Sequence, residues 1–381
     1  MDFKFSAEQE IFRRTVATFV EKNVIPRVEE MEEKEGIPAD LFHQVAEMGF
    51  FGLRYPEKYG GQEGDMVTFC ILCEELARGY LSLAAAVAMQ GLMGTNFIYR
   101  FGSEEQRQQL LVPAIRGEKF GTIAMSEPGC GSDLGAITTT AVRDGDQYVL
   151  NGTKMWITAA SRADFFTVAA KTDPEAGFKG IDMFLVEKGA PGLKVGKKIE
   201  KVGVQASETC ELILDNVRVP AENLFGEQEG TGFANLRQIL NDIRVMTGAL
   251  GLGLARAAYE DSLQYANQRE AFGRPIIKFQ AIQHKLADMV VDIEASRLLV
   301  YYAAWLLDQK LPCNKEAAVA KLYATEAAVK AADEATRIYG AYGMAMDLSP
   351  QRYFRDARFL LYGGGTSEII RNIIASEIRR G

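Results

Sequence analysis

The side chains that most often carry hard chemistry are scarce in this sequence. Two histidines, His43 and His284, occur in 381 residues. A histidine-based metal site or a Ser-His-Asp triad has to use nearly every one of them. Neither G-x-S-x-G nor G-x-x-x-x-G-K-S/T is present. The five cysteines, Cys70, Cys73, Cys130, Cys210 and Cys313, are an odd, sparse set that fits a reducing compartment. Cys70 and Cys73 form C-x-x-C inside FCILCEELA. There, buried thiols at helical spacing are the expected reading, and a redox or metal pair is the other one.

Three stretches offer different chemistry. MSEPGCGSDLG (125–135) is a Gly-rich turn whose Ser126 and Ser132 hydroxyls and exposed amides suit anionic or carbonyl groups. Taken alone, Gly129-x-Gly131 reads equally well as a plain turn. KMWIT (154–158) puts an aromatic and a hydroxyl at a strand end; alone, Trp156 reads as a core residue. QREAFGRPIIKFQAIQHKLADM (268–289) is a basic, aromatic elbow between helices. Its Arg269 and Arg274 suit a phosphate, or a solvated helix end.

Periodicity shows what must position these groups. Ser6 with Gln9 is a capping box, opening a helix with Ile11, Val16, Phe19 and Val20 on one face. Gly36-Ile37-Pro38 breaks the chain before a second helix carrying Leu41, Val45 and Met48. YPEKYGGQEGD (55–65) is a loop, helical stretches continue to Ile98, and Ser103 with Gln106 repeats the box. From Lys119 to about Phe225 the pattern is that of strands, with a hairpin turn expected at Asn151-Gly152. Helices return over 231–267, 279–309, 315–339 and 367–380. The fold class is therefore α+β. An N-terminal α-helical domain (1–118) precedes a middle, mostly antiparallel β domain (119–226) and a C-terminal four-helix bundle (227–381).

Composition narrows the partners. Apolar residues are 48% and charged residues 25%, which is ordinary for a globular protein. With 43 basic and 51 acidic residues the net charge is −8, which argues against nucleic acid as the main partner. No signal-peptide core opens the sequence, and the longest apolar runs, such as 299–307, are about half of the roughly 20 residues a membrane span needs. A cytoplasmic protein without a membrane span is expected.

Taken together, EELAR (74–78), SEPGCGSD, WIT, QREAFG and GTSEIIRNIIA (365–375), in an α-β-α order, identify a resemblance to the acyl-CoA dehydrogenase flavoproteins over the whole chain. That resemblance implies FAD, a CoA thioester substrate, a homotetramer and an electron-transfer flavoprotein as redox partner. Carried over by position, Ile123, Met125, Ser126, Gly131 and Ser132 flank the isoalloxazine, with Trp156 and Thr158 on its other side. Arg269, Phe272 and Gln280, with Arg337 and Gly340 of RIYGAYG (337–343), meet the adenosine diphosphate part of a neighbouring subunit's FAD. Thr366 and Glu368 lie near the cofactor. Arg337 and Ala341 depart from the family's Gln and Gly; an arginine still suits a pyrophosphate. For the substrate, the resemblance points to Ser132, Asn241, Arg244, Gly364 and Gln90.

The family's reaction removes a proton α to the thioester while the β hydride passes to flavin N5. A polarised carbonyl and a carboxylate base in an apolar pocket are needed. Most members carry that Glu just before the C-terminal Gly-Thr; here the position is Gly364, preceded by Gly363. A subset carries it before the arginine matching Arg244; here the position is Ile243. Both are empty. A shifted alignment finds only Tyr362 and glycines. Asp242 is the candidate for a relocated base, although one helical step turns it about 100° from Ile243. The other reading is a changed reaction: a 1,4-elimination on a cyclic enoyl-CoA, a desulfinase-like lyase without net redox, or an enoyl-CoA reductase. Gly363 and Gly364 either open room for a bulky, branched or cyclic acyl group or only shape a tight turn. The helix over the pocket, SLAAAVAMQGLMG (82–94), offers Gln90 but no cation for a sulfinate.

Overall fold

The computed structural model describes residues 4–226 and 228–379. The expected last helical residue, Arg380, lies outside them.

The N-terminal domain is helical. Helix α1 (Ala7–Phe19) opens on the expected box: Gln9 N–H donates to Ser6 Oγ, and Ser6 N–H donates to Gln9 Oε1, both at 3.1 Å. Helix α2 (Ala39–Glu47) follows Pro38, and α3 (Met66–Gly79) starts on the Asp65 cap. At Tyr80 the backbone extends, which separates α3 from α4 (Leu81–Ala88). Cys70 and Cys73 are buried, free thiols on α3, and burial pushes both well above the ordinary thiol range. The segment Leu81–Phe101 is long and apolar enough to cross a bilayer, with mean hydropathy 1.4. However, 94% of that window is buried within the protein, as expected of a core helix.

The middle domain is one seven-stranded sheet. Its strands are β1 (Gly121–Ala124), β2 (Thr140–Asp144), β3 (Gln147–Thr158), β4 (Phe165–Lys171), β5 (Ile181–Glu187), β6 (Leu193–Lys198) and β7 (Thr209–Pro220). They lie in the order β1-β4-β2-β3-β7-β6, with β5 also on β4. Most pairings are antiparallel; β1 with β4 and a single β2–β4 contact are parallel. The hairpin expected at Asn151-Gly152 is not there. Strand β3 runs straight through it, and the turn lies at Gly145 between β2 and β3. The Asn151 carboxamide instead accepts from Asn216 N–H at 2.8 Å on β7, and the register shifts by a bulge between Leu150 and Gly152.

The C-terminal domain holds α5 (Gly232–Gln268), α6 (Gln280–Asp308), α7 (Asn314–Tyr339), α8 (Ser349–Leu360) and α9 (Ser367–Ile378). The four expected helices are joined by a fifth, α8. Its sequence, SPQRYFRDARFL, is polar on average and hides a narrow apolar stripe of Tyr353, Ala357 and Leu360. Helices α5 and α7 pack closely because both present small residues. A Cβ on Gly251 would lie 2.9 Å from the Ala324 carbonyl oxygen. The EELAR stretch ties this bundle to the N-terminal domain. Arg256 of α5 donates to Glu74 at 2.6 Å and Glu75 at 2.8 Å on α3.

Candidate active site

Strands β1 and β3 carry the middle-domain candidates. Beyond Ile123, which is buried on β1, the chain leaves the sheet at Met125 and Ser126. These two residues are fastened to β3. Met155 N–H donates to the Ser126 carbonyl at 2.9 Å, and Ser126 Oγ donates to the Met155 carbonyl at 2.7 Å. A second bulge, between Lys154 and Ile157, gives Trp156 a φ of +65° and turns its indole outward, 55% exposed. The core reading of Trp156 is thus overturned: the strand bends to keep it bare. Thr158 closes the edge by accepting at its carbonyl from Thr122 Oγ1 at 2.6 Å.

A buried ion pair, missed at the level of sequence, underlies this surface. Lys154 has no exposed area, and its Nζ donates to Glu127 Oε1 at 2.8 Å and to the Met125 carbonyl at 3.2 Å. Glu127 also accepts from the amides and hydroxyls of Thr138 and Thr139. Burial opposes its charge, yet Lys154, Thr139 and Thr138 hold Glu127 down at about 2. The available signal was an acid in the Gly-rich stretch, two threonines eleven and twelve residues on, and a lysine two before the exposed tryptophan.

Between α5 and α6 a two-residue turn, Phe272 (φ +53°) and Gly273 (φ +77°), joins Glu270–Ala271 to Arg274–Pro275. Phe272 stands 95% exposed at its tip. The Arg269 guanidinium lies 5.7 Å from the Tyr342 ring, so the 268–289 elbow and the 337–343 stretch meet. Gln280 begins α6. Gly340 has φ +63° just past α7, while Arg337 pairs with Asp333 at 2.7 Å. The Thr366 hydroxyl caps α9 by accepting from Ile369 N–H, and Glu368 is exposed in the first turn. Gly131 and Ser132 lie exposed in the loop after Glu127.

The two empty base positions converge. A Cβ on Gly364 would lie 3.5 Å from Ile243 Cγ2 and 3.2 Å from Thr247 Oγ1. Beneath that turn, buried Lys321 donates to the carbonyls of Gly365 at 2.8 Å and Leu361 at 3.4 Å. Burial pushes its ammonium down to about 8. Arg244 is also buried and meets no carboxylate among the described residues. It donates to Asn241 at 2.8 Å and Asn314 at 2.9 Å, its Nε has no partner among the described residues, and burial lowers it to about 10.

Two expectations require correction. Asp242 does not face Gly364. Its Oδ2 accepts from Arg54 at 3.0 Å and Arg100 at 3.2 Å, an ionic tie between domains that occupies the carboxylate. Gln90 has no free N–H for a substrate. Its amide donates to the Ala114 and Lys119 carbonyls and accepts from Gly121 N–H, joining the α4 segment to β1. The same segment lines a small cleft with Ala86 and Met89. Although that helix supplies no cation, Arg162 reaches the cleft from the middle domain.

Family models for the N-terminal, middle and C-terminal domains of acyl-CoA dehydrogenase match residues 6–118, 122–217 and 230–378. The chain is 48% identical over 378 residues to a benzylmalonyl-CoA dehydrogenase of Aromatoleum aromaticum, covering 99% of this chain and 100% of that one. Among solved structures it resembles butyryl-CoA dehydrogenase from Megasphaera elsdenii (TM-score 0.96, 37% identity, all of both chains). It also resembles PigA with FAD and proline (TM-score 0.96, 29% identity, all of both chains).

Proposed function

The chain belongs to the acyl-CoA dehydrogenase family, the FAD-dependent oxidoreductases that act on the CH–CH bond of acyl-CoA thioesters; from that premise we propose that its acyl group is bulky and carries a carboxylate on the α-carbon. The observation that carries this reading is the contact of Gly364 with Ile243. Both places where the family keeps its base reach one spot, and neither holds a carboxylate. Benzylmalonyl-CoA, in the name of the 48% identical relative, is an α-carboxylated, arylmethyl-substituted thioester.

The residues present fit FAD. The indole of Trp156 stands bare beside Met125 and Ser126, and Ser367 at the start of α9 keeps a buried hydroxyl without a partner among the described residues. Met125, Ser126, Trp156 and Thr158 would hold the flavin ring, and Arg269, Phe272 and Arg337 the adenosine diphosphate end of a neighbouring copy's FAD. When bound, FAD supplies the acceptor for the β hydride.

The chain's own residues then act by what they omit. An α-carboxylate brings its own electron pair. The bond from Cα to the carboxylate carbon breaks, CO2 leaves, and the pair becomes the Cα=Cβ bond as the β hydride departs. No proton is transferred, and the carboxylate's negative charge leaves with the hydride. A glutamate at Gly364 would oppose such a substrate. Two carboxylates about 4 Å apart repel by about 4 kcal/mol at an effective dielectric of about 20. Buried Lys321 beneath the Gly365 carbonyl favours an anion above it. The glycine pair leaves room for the arylmethyl arm.

Anaerobic mixing with benzylmalonyl-CoA and with 3-phenylpropanoyl-CoA, its counterpart without the carboxylate, tests the proposal. The expected result is flavin bleaching with the first only, with one CO2 per flavin. Bleaching by both at similar rates refutes the decarboxylative route; CO2 release without bleaching supports the non-redox lyase reading instead. As further proposals, electrons pass on to an electron-transfer flavoprotein, and the chain assembles as a homotetramer. Val291, Leu298, Tyr302 and Trp305 form an exposed stripe along α6 that suits a second copy.

A further inference from the structure

The Glu127–Lys154 network closes a circuit that the reaction itself does not require. Backbone bonds in both directions between Glu127 and Cys130, at 2.9 and 3.2 Å, pinch the start of the loop that carries Gly131 and Ser132. The Glu127 carboxylate then reaches the loop's far end. Oε2 accepts the Thr138 amide and hydroxyl, both at 2.7 Å, and Oε1 accepts the Thr139 amide at 2.9 Å and its hydroxyl at 2.5 Å. The fifth donor, Lys154, comes from β3, one residue before Met155 and two before Trp156. Lys154 also donates to the Met125 carbonyl on the opposite segment. One buried carboxylate thus joins both ends of the loop to the strand that presents the bare indole.

Resting on the FAD reading above, we propose that Glu127 is a positioning residue for the flavin. It fixes the spacing between the Met125–Ser132 segment and Trp156, so that the two walls of the ring's binding site are set before FAD arrives. Two features favour positioning over a simple stabilising role. The five donors come from two segments far apart in sequence, Thr138–Thr139 and Lys154 on β3. And each element they hold carries a residue left open to solvent: Ser132 in the loop and Trp156 on β3. A charge-assisted ring of hydrogen bonds in a buried setting is a stiff means of holding two loops in register.

The test is FAD titration of the full-length apoprotein, read by quenching of flavin fluorescence. Trp156 emission is followed in a Trp305→Phe background, where Trp156 is the remaining tryptophan of two. Glu127→Gln keeps the shape and removes the charge. It should weaken FAD binding by about tenfold or more, as expected when a buried donor set loses its acceptor, and shift apoprotein Trp156 emission to the red, with far-UV circular dichroism unchanged. Glu127→Asp should recover part of the affinity. An FAD dissociation constant within twofold of the parent, with unchanged Trp156 emission, overturns the proposal. If Glu127→Gln does not fold, Thr138→Val removes one hydroxyl donor and leaves the lysine pair intact. Weaker FAD binding then supports positioning, and unchanged binding overturns it. Failure of the unmodified apoprotein to bind FAD would refute the cofactor reading itself, a separate result.

Discussion

Replacing Gly364 by glutamate restores the carboxylate where most of the family carries it, and the structure sets the scale of the response. Gly364 has φ +70°, a conformation that costs a side chain-bearing residue about 1 kcal/mol or more. The added Cβ would meet Thr247 Oγ1 at 3.2 Å, so that oxygen, which donates to the Ile243 carbonyl at 2.8 Å, must shift by a few tenths of an ångström. The backbone penalty should therefore lower the melting temperature by a few degrees without unfolding the chain. The charge matters more. Against an α-carboxylate about 4 Å away the repulsion is about 4 kcal/mol, or about three decades in kcat/KM. Gly364→Glu should lose about a thousandfold on benzylmalonyl-CoA and gain dehydrogenation of 3-phenylpropanoyl-CoA. Gly364→Ala, which carries the strain without the charge, should lose far less. Steady-state kinetics on both thioesters with all three proteins decides it. If Gly364→Glu keeps its rate on the carboxylated substrate, the anion does not occupy this spot and the reasoning fails.

Other expected outcomes concern the supporting structure. Asp242→Asn leaves Arg54 and Arg100 without their anion and should destabilise the protein by about 3 kcal/mol in urea unfolding, while the single-turnover rate holds. A collapsed rate at unchanged stability would return Asp242 to the role of base. Asp356 on α8 is buried, accepts the Val204 amide at 2.6 Å, and is pushed by burial up to about 7. Its folded value lies above its unfolded one, so the folded state binds the proton more tightly. This group's contribution is therefore present below about pH 4 and lost as pH rises to about 7, on the order of 4 kcal/mol. Asp356→Asn should be stabilised relative to the parent at pH 7 and indistinguishable at pH 4; equal differences at both pH values refute this. Gly251→Ala pushes a methyl to 2.9 Å from the Ala324 carbonyl and should destabilise by about 1–3 kcal/mol despite alanine's higher helix propensity, as thermal melts will show.

Local signals carried much of this fold. Ser6 with Gln9 and Ser103 with Gln106 mark helix starts because the donors they satisfy lie within one turn. The change to strand after Lys119 and the long helices after it follow from side-chain period. What stayed hidden depends on distant partners. Asn151-Gly152 has hairpin chemistry, but Asn216, sixty-five residues on, holds it as a bulge. Gln90 and Asp242 are polar groups over an expected pocket, yet carbonyls and guanidiniums from other elements occupy them. Helix α8 escaped notice because its apolar stripe is thin and its mean composition polar. The cation in the Ala86–Met89 cleft comes from the middle domain, so no inspection of the helix alone finds it.

The meeting of Gly364 and Ile243 also bears on the direction of the reaction. Reducing an enoyl thioester without CO2 needs a proton for the α-carbon, and in the family's usual reaction the donor is the glutamate that takes the proton in the forward sense. Glycine and isoleucine can neither take nor give one. On the decarboxylative route proposed above, each turnover also loses CO2 to solution, and the escaping gas removes a product needed for return. On that proposal the small spot between α5 and the loop before α9 acts as a ratchet: the chemistry that needs no base also has no acid with which to run backwards.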